Sequence, residues 1–419
     1  MKLADEIDTT HDVEIERLLP GGVGLAHADG LTLFVSLAAP GDVLRVSIDR
    51  VQGKVGFASI VEILKPSGVR VEPPCPYFGR CGGCDFQQLT YQAQLDAKVE
   101  IIRDCLHRIA KIETPLEIRI TPSPNEWHYR ARANWQVDSP GKLLGYFERG
   151  SNRVCDVGYC GVLTPELQGT LETVRSAIVA ETTSDRLRDI DAVAGDEGVS
   201  VAPPLAGLTT DTVSRRVGNE TYHFSAEAFF QVNHELLEAV IAQAIGDANG
   251  QTAIDLYCGV GLFTLPLARQ FERVIGVEAH PLATEFARRN LEFAQRGSSP
   301  TIREGADSGV ATNELGSVKI VTARVGDWLN QHARSFGRLD FLLLDPPRTG
   351  CENRDIAGIL ALRPERIAYV SCDPATLARD LKKLITADYS LDSVAAFDMF
   401  PQTHHVETVS HLHRVNNSL

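Results

Sequence analysis

Cys372, Glu407 and Asp345 are the residues of this chain best suited to covalent chemistry. Cys372 stands in "RIAYVSCDPATLARD", where five mostly apolar residues run into Ser371-Cys372 and Pro374 stops the pattern. Such a run reads as a buried strand, with its thiol where a sheet meets solvent. A thiol at that point is either packing, since free cysteine is among the most buried residue types, or a nucleophile. Asp345 closes a second apolar run, "FLLLDPPRTG", whose two prolines end the strand and stiffen the loop after it. Glu407 lies in "DMFPQTHHVETVS", flanked by His404 and His405. Alone it would read as a solvated strand residue.

A second group is the cysteine cluster "CPYFGRCGGC", with Cys75, Cys81 and Cys84 spaced C-x5-C-x2-C and glycines at 79, 82 and 83. Glycines let a short loop wrap an inorganic core and aim amide N–H groups at sulfurs. Zinc and iron–sulfur sites both use such thiolates. A zinc site more often pairs two C-x2-C knuckles. One is present here, so a fourth ligand must come from afar, and Cys155 and Cys160 are the candidates. The nine cysteines form an odd set in a chain without an export signal, which disfavours a disulfide framework.

The third group binds a ligand. "AIDLYCGVGLFTLPLA" is a strand, a glycine-rich turn and a helix, and the backbone can approach a ligand closely at Gly259 and Gly261. The next strand, "RVIGVEAH", brings Glu278 roughly twenty residues on, where a carboxylate can accept hydrogen bonds from both ribose hydroxyls of an adenosyl ligand. The third glycine of the dinucleotide fingerprint is missing, and the short D-x-x-C-G-x-G form points to S-adenosylmethionine (SAM). Amino-group methyltransferases usually place an aromatic residue after the two prolines of the Asp345 loop. Here Arg348 stands there, which argues for a different target atom.

A thiol, two carboxylates and a methyl donor fit one reaction. C5 of uracil is too weak a nucleophile to take a methyl group directly. Addition of a thiolate to C6 makes C5 enolate-like, and a base must then remove the C5 proton so that the thiolate can leave. Cys372 would be the nucleophile, Glu407 the base, and Asp345 could orient the pyrimidine edge. The target uridine must be flipped out, because C5 and C6 both need access.

Three regions position these groups, and 419 residues exceed a single core. Residues 1–70 read as about five short strands with Gly/Pro turns, fitting a small barrel or a sandwich fragment. Residues 71–215 are mixed α+β: the cysteine cluster, a helix near 90–112 with the chance of packing on the catalytic part, then strand-like "YRARANWQVD" and "KLLGYFER". The stretch 165–215 is acidic and weakly patterned. Residues 216–419 alternate buried strands with amphipathic helices, the pattern of a doubly wound Rossmann-like sheet. Ligands bind such sheets at the carboxyl ends of the strands. The net charge of −14 argues against wholesale electrostatic binding of nucleic acid. Arg130, Arg132, Lys142 and Arg149 lie close enough in sequence to form a local basic patch. The N-terminus has neither a basic n-region nor an apolar run, and no apolar stretch reaches the ~20 residues of a membrane span. The expectation is a cytoplasmic protein, with no membrane and no obligate protein partner.

The sequence resembles the RNA uracil-C5 methyltransferase family, in its iron–sulfur branch with a TRAM domain. The resemblance rests on "CPYFGRCGGCDFQQL", "FFQVN", "DLYCGVGLFTLPLA", "LLLDPPRTG", "YVSCDPATLARD" and "DMFPQTHHVE", in that order over nearly the whole chain. It implies a multidomain α/β protein: an OB-like RNA-binding barrel, a central iron–sulfur domain and a C-terminal SAM-dependent methyltransferase domain. It implies a [4Fe–4S] cluster on Cys75, Cys81, Cys84 and a cysteine just before an apolar pair, a place that "GYCGVL" fits and that favours Cys160 over Cys155. It implies Gln231, Tyr257, Glu278 and Asp345 around SAM, with Cys372 as nucleophile and Glu407 as base. "YRARANW" is similar to a basic strand that faces RNA. Leu262 stands where many members carry a polar residue, so any SAM contact there would be through the backbone. Asp373 replaces a common asparagine and is expected to point away from the thiol, whose pKa it would otherwise raise.

Methylation of uridine C5 in structured RNA is therefore the expected function, with 23S rRNA foremost and the tRNA T-arm as the alternative. Two other readings compete. One is a non-enzymatic iron–sulfur RNA-binding or redox protein, which has no reason to keep Cys372, Glu407, Asp345 and the glycine turn together. The other is a cytosine C5-methyltransferase, whose nucleophile usually follows proline rather than serine.

Overall fold

A computed structural model describes residues 10–113, 117–138, 140–180, 182–184, 186–205, 207–297 and 315–415. The first six strands are β1 (Thr10–Glu14), β2 (Arg17–Leu19), β3 (Val23–Ala28), β4 (Leu31–Val35), β5 (Val43–Gln52) and β6 (Val55–Lys65). They form one sheet in the order β1-β5-β6-β4-β3-β2, with β4 and β6 parallel. Register shifts along β5–β6 bend the sheet. It encloses its own small core of Val13, Ile15, Leu33, Val35, Leu44 and Val46.

The middle of the chain has α1 (Tyr91–Cys105), β7 (Arg119–Thr121), β8 (Arg132–Asp138), β9 (Leu143–Phe147), β10 (Val154–Asp156), α2 (Pro165–Val179), β11 (Asp189–Ala194) and β12 (Val199–Ala202). Five of these strands make an antiparallel sheet, β10-β9-β8-β11-β12. Trp135, Leu167, Leu171, Val174 and Ile190 fill the space between it and α2. Leu167, Leu171, Val174, Ile190 and Val201 of the acidic, weakly patterned stretch are thus spent on this core.

The remaining elements are β13 (Val213–Val217), β14 (Glu220–Phe224), α3 (Leu237–Ile245), β15 (Gly250–Leu256), α4 (Thr264–Ala268), β16 (Phe271–Glu278), α5 (Pro281–Gly297), β17 (Ser317–Thr322), α6 (Val325–His332), β18 (Phe341–Leu344), α7 (Asn353–Leu362), β19 (Arg366–Ser371), α8 (Pro374–Thr386), β20 (Tyr389–Phe397) and β21 (Glu407–Arg414). They build an eight-stranded sheet in the order β17-β16-β15-β18-β19-β21-β20-β7. Strands β15 to β19 are parallel, and β21 inserts antiparallel between β19 and β20.

Alternation along the strands divides two cores. Leu342, Leu344, Ile367 and Tyr369 face one side, packed with α1, α6, α7 and α8. Phe341, Leu343, Ala368 and Val370 face the other, packed with α3, α4 and α5. The boundary expected at residue 215 falls inside β13, because Val213, Val217, Tyr222 and Phe224 pack into this second core. α1 belongs to the first core through Val99, Ile101, Ile102 and Cys105, and β7 adds an edge strand beside β20. Among the described residues no helix is long and apolar enough to cross a membrane.

Candidate active site

Strand order reverses between β15 and β18, and sheets of this kind take ligands at such a point, outside the carboxyl ends of the strands. Tyr257, Gly259 and Gly261 follow β15 with φ of 64°, 53° and 92°, so the chain turns sharply through the left-handed region. A Cβ on Gly259 would meet nothing within 4 Å, which leaves open space for a ligand against its backbone. Glu278 ends β16 with its carboxylate already aimed at the turn: Oε2 accepts from Gly259 N at 3.1 Å and Oε1 from His280 N at 2.7 Å. The Tyr257 hydroxyl donates to Asp355 Oδ2 at 2.8 Å, tying the turn to the N-terminus of α7. Gln231 lies just before a short 3-10 turn, between buried Phe230 and Val232. Leu262 is packed in the core, and its carbonyl accepts from Tyr222 Oη at 3.0 Å. Its side chain is committed to packing.

Cys372 follows β19, and Glu407 opens β21. The antiparallel register pairs Ser371 with Thr408, so the next positions, Cys372 and Glu407, stand opposite each other on one face. Asp345 follows β18, the neighbouring strand. Burial, then Glu407, pushes the Cys372 thiol up to about 12, and Arg348 is the cation that opposes this. Burial and Glu278 push Asp345 up to about 7. Burial, then Asp345, holds the Glu407 proton well above the ordinary carboxylate range. Both surroundings favour the protonated forms of Asp345 and Glu407. Asp373 caps α8 by accepting from Thr376 N at 2.8 Å, which turns its carboxylate toward the helix.

The four cysteines of the expected cluster also meet. Cys75, Cys81, Cys84 and Cys160 line one cavity of about 460 Å³, part of it open to solvent, together with Arg130 and Tyr146. Gly83 N donates to Cys81 Sγ at 3.4 Å. Burial raises Cys81 to about 11 and Cys84 to about 12. Cys155 lies outside this lining, and its sulfur accepts from Arg80 Nε at 3.2 Å. Among the described residues no three His, Cys, Asp or Glu side chains converge to hold a single metal ion.

The expected basic patch is largely absent as a surface. Arg130 lines the cysteine cavity. Arg132 donates to the carbonyls of Ala226 and Ala228 and pairs with Asp191 at 3.4 Å. Arg149 donates to the Cys84 carbonyl at 2.9 Å. These guanidiniums satisfy carbonyls left over by irregular backbone, a need that spacing in sequence does not reveal. Exposed Phe229, with Arg132 5.6 Å from its ring, offers a stacking surface beside Gln231 instead.

The family model described as tRNA (Uracil-5-)-methyltransferase matches residues 213–415. The chain is 31% identical to the 23S rRNA (uracil(1939)-C(5))-methyltransferase RlmD of Dechloromonas aromatica, over 95% of this chain and 98% of that one. The chain belongs to the RNA uracil-C5 methyltransferase family. RlmD of Bordetella bronchiseptica is 34% identical over 95% of this chain and 92% of its own length. The crystal structure of the Pyrococcus abyssi tRNA (uracil-54, C5)-methyltransferase with S-adenosyl-L-homocysteine superimposes with a TM-score of 0.70, at 25% identity, covering 96% of this chain and all of that one. The family resemblance read from the sequence is borne out.

Sequence reasoning missed one acid in this family member. Asp255, within β15, is fully buried, and burial pushes it up to about 8. One oxygen accepts from Thr264 Oγ1 at 2.5 Å, and the other has no partner. The available signal was its place as the first residue of the D-x-x-C-G-x-G form, four residues before Gly259.

Proposed function

We propose that this family member transfers the methyl group of SAM to C5 of a flipped-out uridine in structured RNA, with 23S rRNA as the target class. The observation that carries the roles is the β19–β21 register, which sets Cys372 opposite Glu407 beside the edge that bears Asp345, Glu278 and the glycine turn. Gln231, Tyr257, Gly259, Gly261, Glu278 and Asp345 form the SAM site, and Leu262 contributes backbone alone. The sulfonium charge of SAM, bound at this edge, favours the ionised forms of Asp345 and Glu407.

Arg348 favours the thiolate of Cys372 and the carboxylate of Glu407. The thiolate adds to C6, and the displaced electron pair makes an enolate across C5 and O4. Asp345 orients the pyrimidine edge. C5 attacks the methyl carbon, releasing S-adenosylhomocysteine, and then carries both a methyl group and a proton. Glu407 takes that proton, the C5–C6 double bond re-forms and the thiolate leaves. One methyl group has replaced one proton.

The cysteine cavity is read as the seat of a [4Fe–4S] cluster on Cys75, Cys81, Cys84 and Cys160. Four thiols lining one cavity beside Gly83 support that reading. When bound, it would join the loop at 75–84 to the segment around Cys160 through iron–thiolate bonds. The methyl transfer itself needs no electron. The N-terminal sheet is read as an OB-like TRAM module that binds RNA, and the three regions as 1–70, 71–215 and 216–419 with the β13–β14 hairpin joined to the last.

Full-length similarity favours rRNA: relatives named for 23S rRNA share 30–34% identity with this chain, against 25% for the tRNA enzyme. Mass mapping of 5-methyluridine in rRNA and tRNA from a deletion strain tests the target. Loss of one 23S rRNA site is expected. Loss of a tRNA T-arm site with intact rRNA would establish the alternative.

A further inference from the structure

Nine residues, 398–406, connect β20 to β21 and end on Glu407. Connections normally run over the surface and are mobile. This one is buried at seven of its nine positions, with His404 and His405 partly exposed. Its polar groups are taken up by three other parts of the chain. Asp85 N and Phe86 N both donate to the Gln402 carbonyl, at 3.1 and 3.0 Å. Gln94 of α1 accepts from Gln402 N at 2.9 Å and donates to Gln402 Oε1 at 3.0 Å. Tyr129 Oη donates to the Pro401 carbonyl at 2.9 Å. Lys98 of α1 is fully buried, pairs with Asp398 and donates to the Phe400 carbonyl at 3.1 Å. Gln402 itself sits at φ 68°, a left-handed conformation that such bonds must hold in place.

A further tie involves Asp85. His404 N donates to its Oδ1 at 2.8 Å, and His404 Nδ1 lies 2.5 Å from its Oδ2. Both oxygens of one carboxylate are thus spent on a residue three positions before Glu407. Asp85 directly follows Cys84. The N-terminal sheet closes over the same pair: a Cβ on Gly22 would meet His404 Cβ at 3.1 Å and Asp85 Oδ2 at 3.2 Å. Gly22 has φ 73°, so this turn needs glycine both for its backbone and for the room.

We propose that Asp85 and His404 are positioning residues for the proton-removing carboxylate, and that the cysteine loop thereby sets where Glu407 stands. The inference rests on the reading of Glu407 as the base. The clasp fixes the start of β21 from outside the catalytic sheet, while Cys372 and the SAM turn are fixed from within it by β19 and β15. Loosening the clasp therefore leaves addition and methyl transfer in place and impairs the last step, removal of the C5 proton.

The test uses the full-length protein with bound iron, an unmodified 23S rRNA transcript and methyl-tritiated SAM. In single turnover, Asp85→Ala and His404→Ala are expected to form the methylated protein–RNA adduct at the wild-type rate and to resolve it at least tenfold more slowly. The adduct is read as a slow band on a denaturing gel. S-adenosylhomocysteine affinity should be unchanged. Asp85→Asn should restore resolution, because its amide oxygen still accepts from His404 N. Equal slowing of both steps, or a change in KM for RNA alone, would overturn the proposal. If Asp85→Ala loses its iron, His404→Ala, outside the cysteine loop, decides, and normal resolution in that variant would overturn it. Glu407→Gln is run alongside. If that variant traps no adduct, the base assignment fails and the positioning role falls with it. If it traps adduct while both clasp variants resolve theirs normally, the positioning role alone fails.

Discussion

Thr408 Oγ1 donates to the Ser371 carbonyl at 2.8 Å across the β19–β21 ladder. That bond joins the strand of the expected nucleophile to the strand of the expected base, one residue from each. Both partners are buried, so the carbonyl has no water to turn to. It also lies at the last rung before the strands part, where a ladder frays most readily.

Thr408→Val keeps the shape and removes the donor. It is expected to cost about 1 kcal/mol of stability, the usual worth of one buried neutral hydrogen bond, measured by urea unfolding. Turnover on RNA should fall more than SAM affinity, since the residues proposed to hold SAM lie after β15 and β18, at the end of β16 and before α3. Equal losses in both would place the effect in general destabilisation.

Cys160 and Cys155 are five residues apart, and only Cys160 lines the thiol cavity. Cys160→Ser is expected to strip iron and sulfide from protein purified without oxygen. Cys155→Ser should keep both, because that sulfur's partner is the guanidinium of Arg80. Retained iron in Cys160→Ser would remove it from the ligand set.

Glu278 and Leu262 separate binding from packing at one turn. Glu278→Ala removes the side chain proposed to accept hydrogen bonds from the ligand's ribose, worth about 1.5–3 kcal/mol, so S-adenosylhomocysteine affinity should fall roughly 10- to 100-fold in calorimetry. Leu262→Ala empties part of a core instead. Its cost should appear as about 2–5 kcal/mol of stability, with affinity nearly unchanged.

β15, β18 and β19 were legible because both of their faces are buried, which makes each a largely continuous apolar run. β18 reads Phe-Leu-Leu-Leu and all four residues are buried. α1 was legible from its 3–4 spacing, with Leu95, Val99 and Ile102 all buried. The opposition of Cys372 and Glu407 was not. It depends on β21 returning antiparallel between β19 and β20, a pairing between segments more than thirty residues apart that no local pattern encodes. The arginines of 130–149 misled for a related reason. Sequence shows their charge but not the carbonyls and the thiol cavity that absorb it. Asp255 was passed over because an acid inside a strand looks like part of the turn that follows.

Asp255 gives a pH-dependence whose sign can be worked out. Burial raises its folded pKa from 3.8 to about 8, so between those values the folded state binds more protons than the unfolded one. Stability then falls as pH rises across that window. The contribution is full below about pH 4, lost progressively toward pH 8 and flat above. Asp255→Asn cannot ionise, and its amide oxygen can still accept from Thr264. Wild type should therefore lose stability relative to Asp255→Asn as pH goes from 4.5 to 8, measured by urea unfolding of the SAM-free proteins. A difference that stays constant with pH would mean that Asp255 is ionised in the folded protein, and that its oxygen without a protein partner is satisfied by water.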